Sequence, residues 1–171
     1  TIAHKANVLH MTDGLFLKTV REVSRDYPEI ECADCMIDAM CYQLITSIDD
    51  FDLLVLPSQY GDIISDLAAG LIGSLGLAPG ANIGKDIAYF EAAHGAAPDI
   101  AGQGIANPIS LILSAALMLD YLKEDEAAQL IRQSVSVVLE ETRCLTPDLG
   151  GGISTLELGQ TICDVMGSAR S

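Results

Sequence analysis

Apolar residues along the chain repeat with two periods, one of which is typical of strands and the other of helices. Strands are predicted over residues 2–9 and 87–91. The continuous apolar run over 51–57, which ends at a proline, is typical of a buried strand in a parallel sheet. Since these strands alternate with helical segments, the pattern predicts an α/β protein.

Helical periodicity occurs in six stretches, each bounded by residues that favour the start or the end of a helix. The clearest start signals are the Ser154-x-x-Glu157 capping box and the Asn107-Pro108 pair, which supplies an N-cap and a first helical residue. A turn is predicted over 146–152. The predicted helices cover approximately residues 12–27, 34–48, 60–75, 107–123, 126–141 and 154–166.

Two loops bear on function. The glycine-rich loop over 76–84 has neither the Gly-x-Gly-x-x-Gly spacing of a Rossmann dinucleotide site nor the spacing of a P-loop. A dinucleotide site of the standard doubly wound kind is therefore not predicted. The loop over 94–108 is long and aperiodic, and its composition argues against disorder, so we expect it to be functional.

Charge and hydropathy exclude several classes of partner. The 171-residue chain carries 24 acidic and 9 basic residues, and its net charge of −15 would repel nucleic acid and anionic membrane surfaces. The longest apolar stretch, over 105–122, is interrupted by polar residues and is shorter than the about 20 apolar residues that span a bilayer. We therefore expect neither nucleic acid nor a membrane as partner, and an anionic substrate would need cations nearby.

The five cysteines include one Cys-x-x-Cys pair, Cys32 and Cys35. Such a pair could bind zinc or take part in redox chemistry, but no second pair or nearby histidine completes a zinc site. We therefore favour small, buried, apolar cysteines in a reducing compartment, either the cytoplasm or the mitochondrial matrix. The chain opens at Thr1 inside a predicted strand, so we expect it to be a fragment of a longer protein.

Two carboxylates, Asp62 and Asp66, lie four residues apart in a predicted helix. They would share one helix face and form a hard oxygen site suited to Mg²⁺ or Mn²⁺. Alternatively, Asp62 caps the helix and Asp66 is solvated, which is the favoured interpretation of these two residues alone. Taken one at a time, these further residues also have ordinary structural interpretations. Lys5 is then a surface charge, His94 a structural histidine, and Asn107 a helix cap.

Taken together, the motifs of the chain resemble the isocitrate and isopropylmalate dehydrogenase family, which are metal-dependent β-decarboxylating dehydrogenases of 2-hydroxy acids. The resemblance covers nearly the whole chain and keeps the order of the motifs. The segments around Lys5 and Asp13 are more similar to the NAD-dependent isocitrate or homoisocitrate branch than to the isopropylmalate branch. The motifs lie at residues 5–8, 13–16, 27–28, 37–38, 51–52, 61–66, 76–82, 90–91, 94–102 and 106–108.

The resemblance implies a two-domain α/β fold that lacks the Rossmann fingerprint, of which this chain is the carboxy-terminal portion. Residues 1–72 would belong to the smaller, dimer-forming domain, and residues 73–171 to the larger, cofactor-side domain. Asp62 and Asp66 would hold Mg²⁺ or Mn²⁺, and Asp38 would supply a further carboxylate to the site of the neighbouring subunit. The implied assembly is therefore a homodimer or a higher oligomer.

The same resemblance implies roles for the remaining site residues. Lys5 matches the catalytic lysine that assists deprotonation of the substrate hydroxyl, and Asn7, on the same face of the predicted strand, would touch substrate or nicotinamide. An Asp-Ile pair at Asp99 and Ile100 goes with NAD, because a carboxylate accepts hydrogen bonds from ribose hydroxyls and repels a 2′-phosphate. The implied cofactor-binding residues are His94, Gly95, Ala97, Pro98, Asp99, Ile100 and Asn107.

Some positions depart from the family pattern. Ser58-Gln59 stand where an asparagine is common, Ala96 replaces a hydroxyl residue, and Gln103 stands where lysine or glutamine is seen. The family's amino-terminal half, with the Ser and Arg residues that bind substrate carboxylates and the Tyr that protonates the enol, lies outside the chain. We therefore expect the isolated chain to be inactive.

The favoured reaction is the oxidation and decarboxylation of isocitrate, a tricarboxylate, to 2-oxoglutarate. The same chemistry on 3-isopropylmalate, homoisocitrate or a tartrate-type acid stays open. A regulatory subunit of a hetero-oligomeric dehydrogenase and a binding module without turnover are the non-catalytic alternatives. The retained metal carboxylates and His-Gly-x-Ala-Pro loop favour the enzyme.

Overall fold

The computed structural model describes residues 1–141 and 144–169, and the chain forms two compact units, Thr1–Leu71 (unit 1) and Ile72–Ser171 (unit 2). Each unit combines helices with a two-stranded sheet, so the predicted mixture of the two is confirmed. The strands are β1 (Ile2–His4), β2 (Asp34–Met36), β3 (Pro79–Ile83) and β4 (Ala88–Ala92). The helices are α1 (Thr12–Val23), α2 (Ile37–Thr46), α3 (Ser58–Ile72), α4 (Ile109–Tyr121), α5 (Asp125–Glu140) and α6 (Thr155–Ser168).

In unit 1, β1 and β2 pair in parallel, with Ile2 opposite Asp34. The predicted strand over 51–57 runs parallel to β1 on its other side, but it is reduced to a single bridge between Ile2 and Val55. A three-residue β1 offers too few amides and carbonyls to pair with a longer neighbour. Side chains from this sheet and from helices α2 and α3 form the core of the unit, which contains Ala3, Met40, Leu44 and Ile64.

The prediction that residues 2–9 form one strand is wrong, because β1 ends at His4 and residues 6–8 form a turn. The N–H groups of Val8 and Leu9 both donate to the carbonyl of Lys5. Lys5 and Ala6 donate their N–H groups to side chains instead of to a neighbouring strand. Lys5 and Asn7 therefore do not share a strand face.

The helix predicted to begin near residue 34 begins at Ile37, since residues 34–36 pair with β1. Helix α3 begins at Ser58, so Asp62 and Asp66 lie inside the helix, and the interpretation of Asp62 as its N-cap is wrong. Cys35 and Cys41 are half-buried against the core of unit 1, whereas Cys32 is exposed, so the cysteines are not uniformly buried.

In unit 2, β3 and β4 form an antiparallel hairpin, with Pro79 opposite Ala92 and Ile83 opposite Ala88. Two fully buried serines connect α4 to this hairpin. Ser110 Oγ donates to the Ala78 carbonyl at 2.5 Å, and Ser114 Oγ lies 2.6 Å from the Glu91 carbonyl. Helices α4, α5 and α6 enclose the core of the unit, which contains Ile109, Val135, Val138, Leu158 and Ile162.

The loop predicted over 76–84 is partly wrong, because strand β3 occupies its second half. Gly80 explains how a glycine-rich segment forms this strand. A Cβ at Gly80 would lie 2.9 Å from the Glu91 carbonyl oxygen, so only glycine allows the two backbones to approach this closely.

Helix α6 begins as predicted. Ser154 accepts a hydrogen bond from the Glu157 N–H, and the Glu157 carboxylate accepts one from the Ser154 N–H. The predicted turn before it contains a 3₁₀ turn, Pro147–Leu149, that ends at Gly150 with a positive φ of 81°. Within the described residues, no helix has the length and apolar character needed to cross a membrane.

Candidate active-site elements in the two units

Lys5 and Asp38 form an ion pair in unit 1, with 2.6 Å between Lys5 Nζ and Asp38 Oδ1. The topology explains the contact. Strands β1 and β2 are parallel neighbours, so the residue after β1 and the first turn of α2, which follows β2, meet at the same edge of the sheet. The hydrogen bond from Lys5 lowers the pKa of Asp38 from its ordinary value. Both side chains remain open to solvent, with Asp38 64% exposed.

The backbone at Lys5 is held by two buried side chains. The N–H of Lys5 donates to Asp13 Oδ2 at 2.7 Å, and the N–H of Ala6 donates to His4 Nδ1 at 3.1 Å. Because His4 Nδ1 accepts, its Nε2 carries the proton and donates to Asp34 Oδ2 at 3.0 Å. Hydrogen bonds from His4 and then from Arg21 lower the pKa of Asp34 from its ordinary value.

Asp62 and Asp66 lie one helical turn apart in α3, and both are exposed. Within the described residues, neither carboxylate has a hydrogen-bond or ion-pair partner in the chain. Two free, solvent-accessible carboxylates on one helix face are the hard oxygen donors that Mg²⁺ and Mn²⁺ prefer, so these residues fit such an ion.

The described residues bring no group of three or more His, Cys, Asp or Glu side chains together as a metal site. Asp38 forms an ion pair with Lys5, and among the described residues it does not join Asp62 and Asp66 in such a group. Asn7 is exposed in the turn after β1. Its contact with substrate, and the sharing of Asp38 between subunits, therefore remain predictions.

Unit 2 contains a cleft of about 750 Å³ on the loop after β4. Five predicted cofactor-binding residues line it, namely His94, Gly95, Ala97, Ile100 and Asn107. Pro98 and Asp99 are not among its lining residues, although they occupy the 3₁₀ turn between two of them. The cleft is lined chiefly by glycine, alanine and isoleucine, as suits the flat surfaces of a nucleotide.

The side-chain amide of Asn107 is fixed at both of its ends. Asn107 Oδ1 accepts from the Ile109 N–H at 3.0 Å. The prediction of Asn107 as N-cap and Pro108 as first helical residue is wrong by one position, because α4 begins at Ile109 and its N-cap residue is Pro108. Asn107 Nδ2 donates to Asp148 Oδ2 at 3.0 Å, and Ser74 Oγ donates to the same oxygen at 2.5 Å. Burial raises the pKa of Asp148, but these hydrogen bonds outweigh burial and leave that pKa below its ordinary value.

Sequence reasoning missed Ser74, Gly76 and Asp148 as lining residues of the cleft. The local signal available was an aspartate inside a Pro- and Gly-rich turn. Gly76 is required by packing, since a Cβ there would lie 2.7 Å from Asn107 Cβ.

Gln103 stabilises the loop that forms one wall of the cleft. Its Nε2 donates to the backbone carbonyl of Asp99 at 2.8 Å. The ring of His94 is exposed, and its Nδ1 lies 3.0 Å from the Gly95 carbonyl. Ala97 has a positive φ of 42°, so the backbone makes a sharp bend just before the 3₁₀ turn.

The fold is that of the β-decarboxylating dehydrogenases. The model of the isocitrate/isopropylmalate dehydrogenase family matches residues 1–162, and the chain belongs to this family. The predicted family and fold are therefore confirmed.

Similar proteins act on different acids. The chain is 52% identical over 167 residues to the isocitrate/homoisocitrate dehydrogenase of Thermus thermophilus, covering 98% of this chain and 50% of the relative. It is 48% identical to the 3-isopropylmalate dehydrogenase of Archaeoglobus fulgidus, covering 97% of this chain and 51% of that protein. The crystal structure of isocitrate dehydrogenase from Methylococcus capsulatus matches with a TM-score of 0.92 and 47% identity, over 96% of this chain and 49% of that one. The chain thus spans about half the length of the curated relatives it matches.

Proposed function

We propose that the chain is the carboxy-terminal half of an NAD- and Mg²⁺- or Mn²⁺-dependent dehydrogenase that oxidises and decarboxylates a 2-hydroxy acid. The preferred substrate is isocitrate, which yields 2-oxoglutarate. The observation that carries the proposal is the 2.6 Å pair of Lys5 and Asp38, because it joins a proton-transfer group to a hard metal ligand at one edge of the sheet. The cleft at Asn107 supports the cofactor part of the proposal.

In the proposed site, Asp62 and Asp66 hold the divalent cation together with Asp38 of a neighbouring subunit. A cation bound there polarises the substrate hydroxyl and stabilises negative charge on its oxygen. Lys5 would accept the proton of the substrate hydroxyl as a neutral amine, after its ammonium group, which donates to Asp38 here, has given up a proton to solvent. NAD bound in the site would supply the hydride acceptor. Asn7 contacts the substrate or the nicotinamide. The assembly is a homodimer or a larger oligomer, since the site is incomplete within one chain.

The 94–107 loop binds NAD in the cleft of unit 2. Asn107 is rigidly oriented by Ile109 and Asp148, so its remaining amide hydrogen can donate to the adenosine end of the cofactor. Two carboxylates, Asp99 on the loop and Asp148 in the cleft wall, disfavour the 2′-phosphate of NADP through like-charge repulsion. NAD is therefore the preferred cofactor.

The choice of substrate rests on motifs near Lys5 and on relatives that use isocitrate, homoisocitrate or 3-isopropylmalate. A regulatory subunit is less well supported, because Asp62 and Asp66 are retained as free carboxylates on one face of α3. The net charge of −15 agrees with a site that uses a divalent cation to attract an anionic acid. The reducing compartment proposed is the cytoplasm or the mitochondrial matrix.

The proposal is tested by assaying NADH formation with the full-length protein, Mn²⁺ and each of the three acids in parallel. Isocitrate should give the highest kcat/KM, and a chelator should abolish turnover. Asp62→Asn should lose activity, because one metal ligand becomes neutral, whereas Asp125→Asn, an exposed carboxylate in the first turn of α5, should keep it. Turnover that survives both the chelator and Asp62→Asn would contradict the proposed metal site.

A further inference from the structure

Asp13 is a buried carboxylate that the proposed chemistry does not use. It lies in the first turn of α1 and is only 7% exposed. A carboxylate is buried at low cost only where hydrogen bonds replace its hydration. Asp13 Oδ2 accepts a hydrogen bond from the Lys5 N–H at 2.7 Å, and Asp13 Oδ1 accepts one from the Thr12 hydroxyl at 3.3 Å.

The more important of these partners is the backbone of Lys5, because Lys5 carries the amine that the proposed chemistry uses. The other partner, Thr12, is the residue just before Asp13 and belongs to the same helix.

The backbone of the next residue, Ala6, is also held by a hydrogen bond to a buried side chain. The Ala6 N–H donates to His4 Nδ1, and His4 is itself buried and anchored to Asp34. The N–H groups of Lys5 and Ala6 flank the α-carbon of Lys5, so their directions fix both of its backbone dihedral angles. A lysine side chain has four rotatable bonds and loses much entropy when ordered, so a fixed backbone limits where its amine can lie.

We infer that Asp13 is a positioning residue for Lys5. This inference rests on the proposed function of Lys5. Asp13 contacts none of the reacting groups in this arrangement. It acts by holding the main chain from which the lysine extends.

The experiment compares three variants of the full-length protein. Asp13→Ala removes the acceptor, Asp13→Asn keeps an oxygen for the Lys5 N–H, and Leu44→Ala opens a cavity in the core of unit 1 without touching these hydrogen bonds. Three properties are measured in each: kcat, the affinity for NAD, and the hydrogen-exchange rate of the Lys5 amide by NMR.

We expect Asp13→Ala to lower kcat by about tenfold to a hundredfold while the affinity for NAD is unchanged, because misplacing a reacting group acts on the chemical step. The Lys5 amide should exchange about five to ten times faster, as expected for the loss of one hydrogen bond. Asp13→Asn should keep kcat and the exchange rate of the Lys5 amide close to their wild-type values. Leu44→Ala should lower the melting temperature and leave kcat and the Lys5 amide unchanged.

The inference is overturned if Asp13→Ala keeps wild-type kcat, or if Leu44→Ala lowers kcat equally at the same loss of stability. Failure of the proposed function gives a different result. In that case the wild-type protein reduces NAD with none of the acids, and the exchange of the Lys5 amide alone decides the role of Asp13. Exchange at the wild-type rate in Asp13→Ala would then overturn the inference.

Discussion

Asn107 donates a hydrogen bond of 3.0 Å to Asp148, although 41 residues separate them along the chain. The same carboxylate oxygen accepts from Ser74, and Asn107 Oδ1 accepts from the Ile109 N–H at the start of α4. The Asp148 carboxylate, in the turn before α6, is thus hydrogen-bonded both to the segment before β3 and to the loop over 94–108. The geometry of the proposed NAD cleft depends on this link.

Replacing Asp148 by alanine should weaken NAD binding by about three- to tenfold, because Asn107 loses the hydrogen bond that orients it. Isothermal titration with NAD measures the effect. Asp125→Ala, which removes an exposed carboxylate from the first turn of α5, is the matched control and should bind NAD normally. Equal affinities for the two variants would show that Asp148 does not orient the cleft.

The lowered pKa of Asp148 predicts a pH dependence of stability. A carboxyl group whose pKa is depressed by folding stabilises the protein above its unfolded pKa of about 4, and loses that contribution as the pH falls through the folded pKa. The wild-type melting temperature should therefore fall more steeply below about pH 4 than that of Asp148→Asn, in which the side chain still accepts hydrogen bonds but does not titrate. Parallel curves for the two proteins would contradict the shift.

Replacing Asp38 by asparagine should raise the Mn²⁺ concentration that gives half-maximal activity by at least about tenfold, since a charged ligand becomes neutral. The change also removes the ion pair with Lys5, so a second variant is needed. Lys5→Gln should lower kcat but leave the Mn²⁺ requirement nearly unchanged. Asp49→Asn, in the same unit, should alter neither property. Normal Mn²⁺ activation of Asp38→Asn would exclude a shared metal site.

Gly76→Ala should destabilise the protein, because the new Cβ would lie 2.7 Å from Asn107 Cβ and force the side chain out of place. We expect a loss of about 1–3 kcal/mol in the free energy of unfolding, together with weaker binding of NAD. Gly159→Ala, in α6, meets nothing within 4 Å and should instead stabilise the protein by about 0.5–1 kcal/mol. Denaturant unfolding of both variants checks the opposite signs.

Features that depend on a few neighbouring residues could be predicted from the sequence. The capping box of Ser154 and Glu157 closes within one helical turn, and the helical spacing of Asp62 and Asp66 is fixed once the helix forms. The order of short motifs was enough to identify the family, whose model matches residues 1–162. The loop over 94–108, which was predicted to be functional, contributes residues to the lining of the cleft.

Features that depend on distant partners could not be predicted. Strand β1 ends at His4 because Asp13 takes the Lys5 amide and His4 takes the Ala6 amide, and periodicity carries no sign of those bonds. Likewise, the sequence around Asp148 predicts only a turn, because its hydrogen bond with Asn107 forms only when the two segments pack together.

The sequence by itself therefore determined the α/β class and the family. Tertiary structure alone decided which carboxylates have hydrogen-bond or ion-pair partners within the chain and which remain without such partners among the described residues. Asp13 and Asp148 accept hydrogen bonds from segments far away in the chain, and Asp38 pairs with Lys5. Asp62 and Asp66 have no partner within the described residues. The physical reason is that a local pattern fixes where a side chain lies along its helix or strand, whereas its partner is fixed only when distant segments pack together.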